Sequence, residues 1–294
     1  MRIQLGRVLS CACVIVSLSV PVVARPVSFN APRLFAPSTS FSSMALGDFD
    51  RDGKPDIAIT TYGSANNVEV LLTGGKTTTY PVTGASLIIG DFNGDGKPDL
   101  AVAGSVSPYN IWIMLGNGDG TFEPPIGSPA GTTPEWIAAG DFNGDGKLDL
   151  VVAGTVTAVS VLLGNGDGSF QPPISNTLPN SVISGPVVAD FNSDGHLDIA
   201  VDTYLEVGNW KMAVLLGNGD GTFQLPKSTS ITPEYAVLAV GEFNSDGKPD
   251  LAVALTEFDD TQTIILLGNG DGTFRQGASY PSGESTAEVA VTAM

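Results

Sequence analysis

The chain is poor in the residues that carry covalent and soft-metal chemistry. It has two cysteines in 294 residues, Cys11 and Cys13, and a single histidine, His196. Both cysteines lie near the amino terminus, so the rest of the chain holds neither a disulfide framework nor a thiol nucleophile. A Ser-His-Asp set would have to recruit His196. Zinc and copper are disfavoured without thiolates or a second imidazole. Basic residues are also scarce: 13 Lys and Arg face 31 Asp and Glu, for a net charge of -18. Phosphate backbones need Lys and Arg clusters, so nucleic acid is excluded as a partner. No run has helical period with helix caps. The most apolar stretch, Val8 to Val20, follows Arg2 and Arg7 and precedes Val22-Val23-Ala24. It falls short of the ~18 residues of a spanning helix. Residues 1–24 therefore read as a secretory signal peptide, with a retained anchor as the alternative. Cleavage would leave no inserted segment and would place the chain outside the cell, at the cell surface or in the periplasm.

What the chain does have is one acidic phrase written five times: DFDRDGKPDI from Asp48, DFNGDGKPDL from Asp91, DFNGDGKLDL from Asp141, DFNSDGHLDI from Asp190 and EFNSDGKPDL from Glu242. These hold about half of all the acids. Each copy places side-chain oxygens at its first, third, fifth and ninth positions and glycine at the sixth. Alternate residues of a tight loop converge on one point, and the glycine permits the sharp turn. That is the logic of a calcium loop. The candidate ligands are Asp48, Asp50, Asp52 and Asp56; Asp91, Asn93, Asp95 and Asp99; Asp141, Asn143, Asp145 and Asp149; Asp190, Asn192, Asp194 and Asp198; and Glu242, Asn244, Asp246 and Asp250. Backbone carbonyls of Lys54, Lys97, Lys147, His196 and Lys248 complete the sets. The cofactor expected is Ca²⁺, at about five sites. The all-acidic first loop ranks tightest by charge count, and the fifth, which opens on the longer Glu242, ranks weakest. The competing reading is that these acids only form Asx-turns.

The phrase recurs about every 50 residues, which points to a propeller, solenoid or array. Apolar, β-branched runs flank each loop: ASLIIG and LAVAG around the second, WIAAG and LVVAG around the third. A third run follows (IWIML, VSVLL, MAVLL, TIILL), and a fourth, weaker one begins with an aromatic (TFEPP, SFQPP, TFQLP, TFRQG). All are short and bounded by turn residues, so they read as strands. Four strands per repeat is the arithmetic of a propeller blade. Between the third and fourth runs lies LGNGDGTF or LGNGDGSF, at Leu115, Leu163, Leu216 and Leu267; the first repeat has LTGGKTTTY instead. Asn-Gly and Asp-Gly suit a tight hairpin. A second, weaker cation site on Asn117, Asp119 and their equivalents is the other reading.

The phrases with their flanking strands resemble the FG-GAP repeat of integrin α-chain propellers. They are closer still to the bacterial VCBS/FG-GAP-like repeat with its DFNGDG and LGNGDGTF phrases. The resemblance runs from about Phe35 to Met294. It implies an all-β fold over residues 25–294: a β-propeller of four-stranded blades with calcium in the loop joining the first two strands of each blade. It implies no single activity. Phe35-Ala36-Pro37 reads as a fourth strand before the first complete blade, and 287–294 as a first strand with no loop after it. The sequence thus reads as five full repeats between two part-repeats, either a fragment or a ring that a partner completes.

Phe49, Phe92, Phe142, Phe191 and Phe243 stand at the second position of each loop and alternate away from the ligands, which suits packing between blades. In an up-and-down blade the calcium loops share a face with the LGNGDGTF turns. The opposite face carries the variable connections, where recognition tends to live. Its aromatics, Tyr62, Tyr109, Trp136, Tyr204, Trp210 and Tyr235, are the candidate ligand-binding residues, suited to protein hot spots or to sugar rings. Trp136 and Tyr235 also begin first strands and are equally suited to packing. No residue pattern supports catalysis. The expected function is an exported, calcium-stabilised adhesion or interaction module. The alternatives are a carbohydrate-binding, lectin-like propeller, and a non-catalytic propeller within a larger surface protein or polysaccharide-active enzyme.

Overall fold

The computed structural model describes residues 13–15, 40–62, 66–204, 210–230, 236–255, 262–281 and 288–290. Among them every regular element is a strand. Five antiparallel sheets follow one another along the chain, each a simple meander. Blade one comprises Ser40–Gly47, Asp56–Tyr62, Val68–Leu71 and Thr77–Tyr80. Blade two comprises Ser86–Gly90, Asp99–Ala103, Asn110–Met114 and Ile126–Pro129. Blade three comprises Trp136–Gly140, Asp149–Ala153, Ala158–Leu162 and Ile174–Thr177. Blade four has a first strand in two pieces, Ser181–Val182 and Val187–Ala189, then Asp198–Tyr204, Trp210–Leu215 and Lys227–Ser230. Blade five comprises Ala236–Gly241, Asp250–Leu255, Gln262–Gly268 and Phe274–Pro281.

The first strands of successive blades lie side by side, so the sheets fan out from a shared axis. The second strands are the most apolar. Asp99–Ala103 and Asp149–Ala153 are buried at every residue because a blade packs on each of their faces. That double burial is why these segments read as continuous apolar runs instead of alternating ones. The core lies between blades. One cluster joins Phe49, Val70 and Leu72 of blade one to Leu87, Leu100 and Phe122 of blade two. Equivalent clusters join blades two and three, three and four, and four and five.

Two details depart from the sequence reading. In blades two to four the fourth strand does not begin at the aromatic. Phe122, Phe170 and Phe223 make only single bridges to Gly116, Gly164 and Gly217, and the strands start several residues later. The intervening Pro124-Pro125, Pro172-Pro173 and Pro226 lack the N–H a ladder needs. Blade five has no such proline, and there the strand runs unbroken from Phe274. In blade four, Gly185-Pro186 interrupts the first strand for the same reason. The carboxyl-terminal segment read as a first strand holds one, Glu288–Ala290, against the first two strands of blade five. It pairs in parallel with Cys13–Ile15 of the segment read as a leader. The proposed strand at Phe35–Pro37 lies outside the described residues.

Candidate functional site

Each acidic phrase forms the connection between the first and second strands of its blade. The sixth-position glycine adopts a left-handed conformation in all five copies: Gly53, Gly96, Gly146, Gly195 and Gly247 have φ between 76° and 88°. That turn folds the chain back over the opening acid. In the first loop Asp48 accepts N–H bonds from Asp52 through Oδ1 (3.0 Å) and from Gly53 through Oδ2 (2.9 Å). Asp91, Asp141 and Asp190 repeat this with their fifth- and sixth-position amides. Glu242 reaches its loop through Oε1 alone, accepting from Asn244, Ser245 and Asp246. The longer side chain in the fifth copy thus changes the geometry of the opening acid. The third-position oxygen accepts from the fifth-position amide, as Asp50 does from Asp52 (3.1 Å).

The fifth-position carboxylates stay exposed. The Lys54 ammonium, as a hydrogen-bond donor, holds Asp52 below the usual carboxylate range, and Lys97 does the same for Asp95 at 2.7 Å. The backbone amides of Lys147 and His196 are the first cause for Asp145 and Asp194. These groups are ionised at neutral pH.

The ninth-position aspartates behave differently. Asp56, Asp99, Asp149, Asp198 and Asp250 are buried at the start of the second strand. Each accepts two backbone N–H bonds. One comes from the second-position Phe of its own loop: 2.9 Å from Phe92 to Asp99, 2.8 Å from Phe142 to Asp149. The other comes from the turn between the third and fourth strands: 2.7 Å from Gly116 to Asp99, 2.7 Å from Gly164 to Asp149. Asp198 and Asp250 do the same with Gly217 and Gly268, and in blade one Thr73 takes the glycine's place on Asp56. One buried carboxylate therefore ties loop and turn together on one face. Burial pushes the Asp99 and Asp149 carboxyls up, and raises that of Asp198 to about 6. The glycine has its own reason: a Cβ at Gly164 would stand 2.2 Å from the Leu148 carbonyl oxygen.

The LGNGDGTF turn also reaches the preceding blade. Gly120 donates to the Phe49 carbonyl (2.9 Å), Gly168 to Phe92 (3.0 Å), Gly221 to Phe142 (3.2 Å) and Gly272 to Phe191 (3.1 Å). The closing Phe of each turn meets the same loop Phe edge to face. The pairs are Phe49–Phe122, Phe92–Phe170, Phe142–Phe223 and Phe191–Phe274, with centroids 5.5 to 6.2 Å apart. The second-position Phe is thus packing between blades, and the turn is a lock. Within the turn, Asp119 Oδ1 accepts from both the amide and the hydroxyl of Thr121, and Asn117 bonds the same hydroxyl. These bonds are the side-chain chemistry of a tight hairpin turn. Sequence reading missed the lock. Its signal was the fixed phase of the turn glycines and Phe against the loop of the previous repeat.

The carboxylates of Asp48, Asp50 and Asp56 offer oxygens all within 4.8 Å of one another. An ionised carboxylate has about four lone-pair sites. Asp48 and Asp56 each use two on amides, so the set retains acceptors for a hard cation. In the other four loops Asn stands at the third position; the second, third and fourth keep the same backbone wrap, and the fifth keeps only its fifth-position bond.

On the opposite face, a cavity of about 400 Å³ lies between blades two and three, lined by Ala85, Ser105, Tyr109, Thr133, Pro134, Glu135 and Trp136. Two of the six candidate aromatics meet here. Tyr109 is exposed, while Trp136 is half-buried and also packs on the core between blades three and four. Glu135, which the sequence did not single out, accepts a hydrogen bond from Thr155 (2.8 Å). Tyr204 packs against the core between blades four and five. Tyr235 lies outside the described residues, as do the side chains of Tyr62 and Trp210.

A model of the FG-GAP-like repeat matches residues 91–152 and 141–201, and one of the FG-GAP repeat matches residues 40–72. No curated protein matches the chain by sequence. Among solved structures, the chain is similar to BBS1N in complex with ARL6DN, soaked with mercury. The two share 13% identity and a TM-score of 0.55, over 84% of this chain and 68% of that one. A second crystal of the same complex, soaked with lead, gives 14% identity and a TM-score of 0.49 over 84% and 83%. At 13% identity the first of these likenesses speaks for the fold alone. Residues 40–72 and 91–201 are FG-GAP-type repeats, and the chain folds as a β-propeller of four-stranded blades.

Proposed function

We propose that this is an exported, calcium-stabilised interaction module without catalytic activity, whose loops hold Ca²⁺ and whose opposite face binds a partner. The observation that carries the calcium reading is the convergence of Asp48, Asp50 and Asp56 within 4.8 Å, in a loop whose backbone wrap recurs in the second, third and fourth copies. Oxygen-only ligands without an octahedral cage favour calcium over magnesium. The ion would also draw on Asp52, with Lys54 turning away into solvent. Like charges crowd each loop, and that repulsion disfavours the folded state unless a cation offsets it. The export proposed here would fit the reading, because extracellular calcium suits sites with affinities of about 10⁻⁴ to 10⁻³ M. Thermal melting in EGTA, then with calcium restored, tests it: the midpoint rises with calcium, and an unchanged midpoint rejects the ion.

FG-GAP-type propellers act as interaction modules, and the similar BBS1N domain was solved with a protein partner. A protein partner is therefore the first reading for the variable face. A sugar ligand is the second, favoured by the cavity that gathers Tyr109, Trp136, Glu135 and Ser105. Flat apolar rings beside hydroxyl and carboxylate acceptors suit a pyranose. A glycan array and a pull-down with the Tyr109→Ala chain separate the two. Loss of glycan signal supports the second reading, and loss of a protein partner alone supports the first.

A further inference from the structure

We infer that Asn117, Asn165, Asn218 and Asn269 are sites of spontaneous side-chain amide hydrolysis, and that the acidic loops shield Asn93 and Asn143 from the same reaction. All six open the same run, Asn-Gly-Asp-Gly. In such a pair the glycine's backbone nitrogen gives up its proton to solvent and attacks the asparagine Cγ. The N–Cγ bond forms, the Cγ–Nδ2 bond breaks, and ammonia leaves a cyclic imide. Water then opens one of its two carbonyls. One opening gives aspartate, the other isoaspartate, with the main chain rerouted through Cγ. No oxidant or reductant takes part. Glycine favours the attack because no Cβ crowds its nitrogen. The reacting groups and the residues after them are the same in all six runs, so the sequence does not rank them.

The structure does rank them. Asn93 and Asn143 are half-buried at the third position of loops two and three. There the attacking nitrogen is already bound: Gly94 donates to Asp91 Oδ1 at 2.8 Å, and Gly144 to Asp141 Oδ1 at 2.7 Å. A hydrogen bond to a carboxylate is charge-assisted, and the negative charge beside it opposes loss of the proton. Asn117, Asn165, Asn218 and Asn269 are exposed in the turns between third and fourth strands. Among the described residues no acceptor takes the N–H of Gly118, Gly166, Gly219 or Gly270. The one tether on each turn asparagine is a neutral bond from Nδ2, the leaving nitrogen, to the hydroxyl of Thr121, Ser169, Thr222 or Thr273. All six glycines have φ between 73° and 79°, so backbone conformation does not account for the difference. The consequence reaches the joint between blades. Isoaspartate at Asn117 inserts a main-chain carbon three residues before Gly120, whose N–H holds the Phe49 carbonyl.

The test incubates the chain in mildly alkaline, calcium-free buffer, so that no bound ion contributes to the shielding. Digestion and mass spectrometry follow each asparagine, with isoaspartate resolved by chromatography. In the folded chain the four turn asparagines convert faster than Asn93 and Asn143 by about tenfold or more, equivalent to ~1.4 kcal/mol in the barrier. In urea all six convert at similar rates, which assigns the gap to the fold. Amide hydrogen exchange is the second readout: Gly94 and Gly144 exchange more slowly than Gly118, Gly166, Gly219 and Gly270. Asp91→Ala frees the Gly94 N–H and brings Asn93 toward the turn rate, while Asn143 stays slow. Equal rates at the six sites of the folded chain overturn the proposal. So does a folded chain whose turns stay intact over the time the unfolded chain converts. An Asp91→Ala chain that folds, shown by its far-ultraviolet spectrum, and converts Asn93 no faster overturns the shielding by the opening acid.

Discussion

The rings of Phe142 and Phe223 meet edge to face at 5.9 Å across the joint between blades three and four, while the Phe142 carbonyl accepts the Gly221 amide at 3.2 Å. One residue of an acidic loop is thus held twice by the turn of the next blade. Truncating a buried Phe costs about 3–5 kcal/mol, and an edge-to-face pair couples by about 1 kcal/mol. Phe142→Ala and Phe223→Ala should each cost about 3 kcal/mol. The double variant should cost about 1 kcal/mol less than their sum, measured by urea unfolding in a double-mutant cycle.

Asp149 separates two roles for the ninth position. Its carboxylate accepts the Phe142 and Gly164 amides whether or not an ion is bound. In Asp149→Asn the new NH₂ faces a backbone donor, leaving a buried group unsatisfied. A loss of about 2 kcal/mol is expected even in EGTA. Asp52→Asn, at an exposed position, should cost little in EGTA and reduce only the gain from calcium. Denaturation with and without calcium distinguishes the two variants.

Acid should uncouple calcium from stability. Burial raises the Asp198 carboxyl to about 6 in the folded chain, against about 3.9 when unfolded. The folded state therefore binds more protons between these values, so this group's contribution is full below pH 4 and is lost as pH rises through 6. Asp99 and Asp149 are raised in the same direction. Without calcium, these groups favour the folded state more strongly at pH 5 than at pH 7. With calcium, protons compete for the same oxygens, and the stabilisation the ion provides shrinks. Melting midpoints at pH 7, 6 and 5, with and without calcium, should converge toward acid.

Backbone strain gives a prediction of opposite sign. Arg51, Ser193 and Ser245 sit at the fourth loop position with φ near 60°, where the second and third loops have glycine. A left-handed conformation costs an L-residue about 1–2 kcal/mol, partly offset by the entropy glycine loses on folding. Ser193→Gly should therefore stabilise the chain by about 0.5 kcal/mol. Gly164→Ala, with the Leu148 carbonyl 2.2 Å from the new methyl group, should destabilise it. Chemical denaturation of the two variants checks both signs.

Much of this was legible in the residues. The doubly buried second strands wrote themselves as unbroken apolar runs, and the glycines at the sixth loop position marked the turn. The loop Phe declared itself as packing by alternating away from the acids. What the sequence concealed was relational. Nothing local to Asp99 says that Gly116 will donate to it, and nothing local to Gly120 says that it will reach Phe49 in another repeat. Both follow from stacking one blade on the next. The fourth strands of blades two to four were misplaced because the aromatic drew attention and the proline that delays the ladder did not, while that of blade five begins at its aromatic as read. Tyr204 read as an exposed aromatic, yet it packs into a core that only the neighbouring blade completes. Glu135 gave no signal at all, since its interest comes from sharing a cavity with Tyr109 and Trp136.

The most direct test counts ions. Native mass spectra of the chain in millimolar calcium should show up to five bound Ca²⁺. Asp48→Asn/Asp50→Asn should remove one of them, the tightest in a calcium titration. A chain that carries no calcium under these conditions, or whose count the double variant leaves unchanged, would contradict the account.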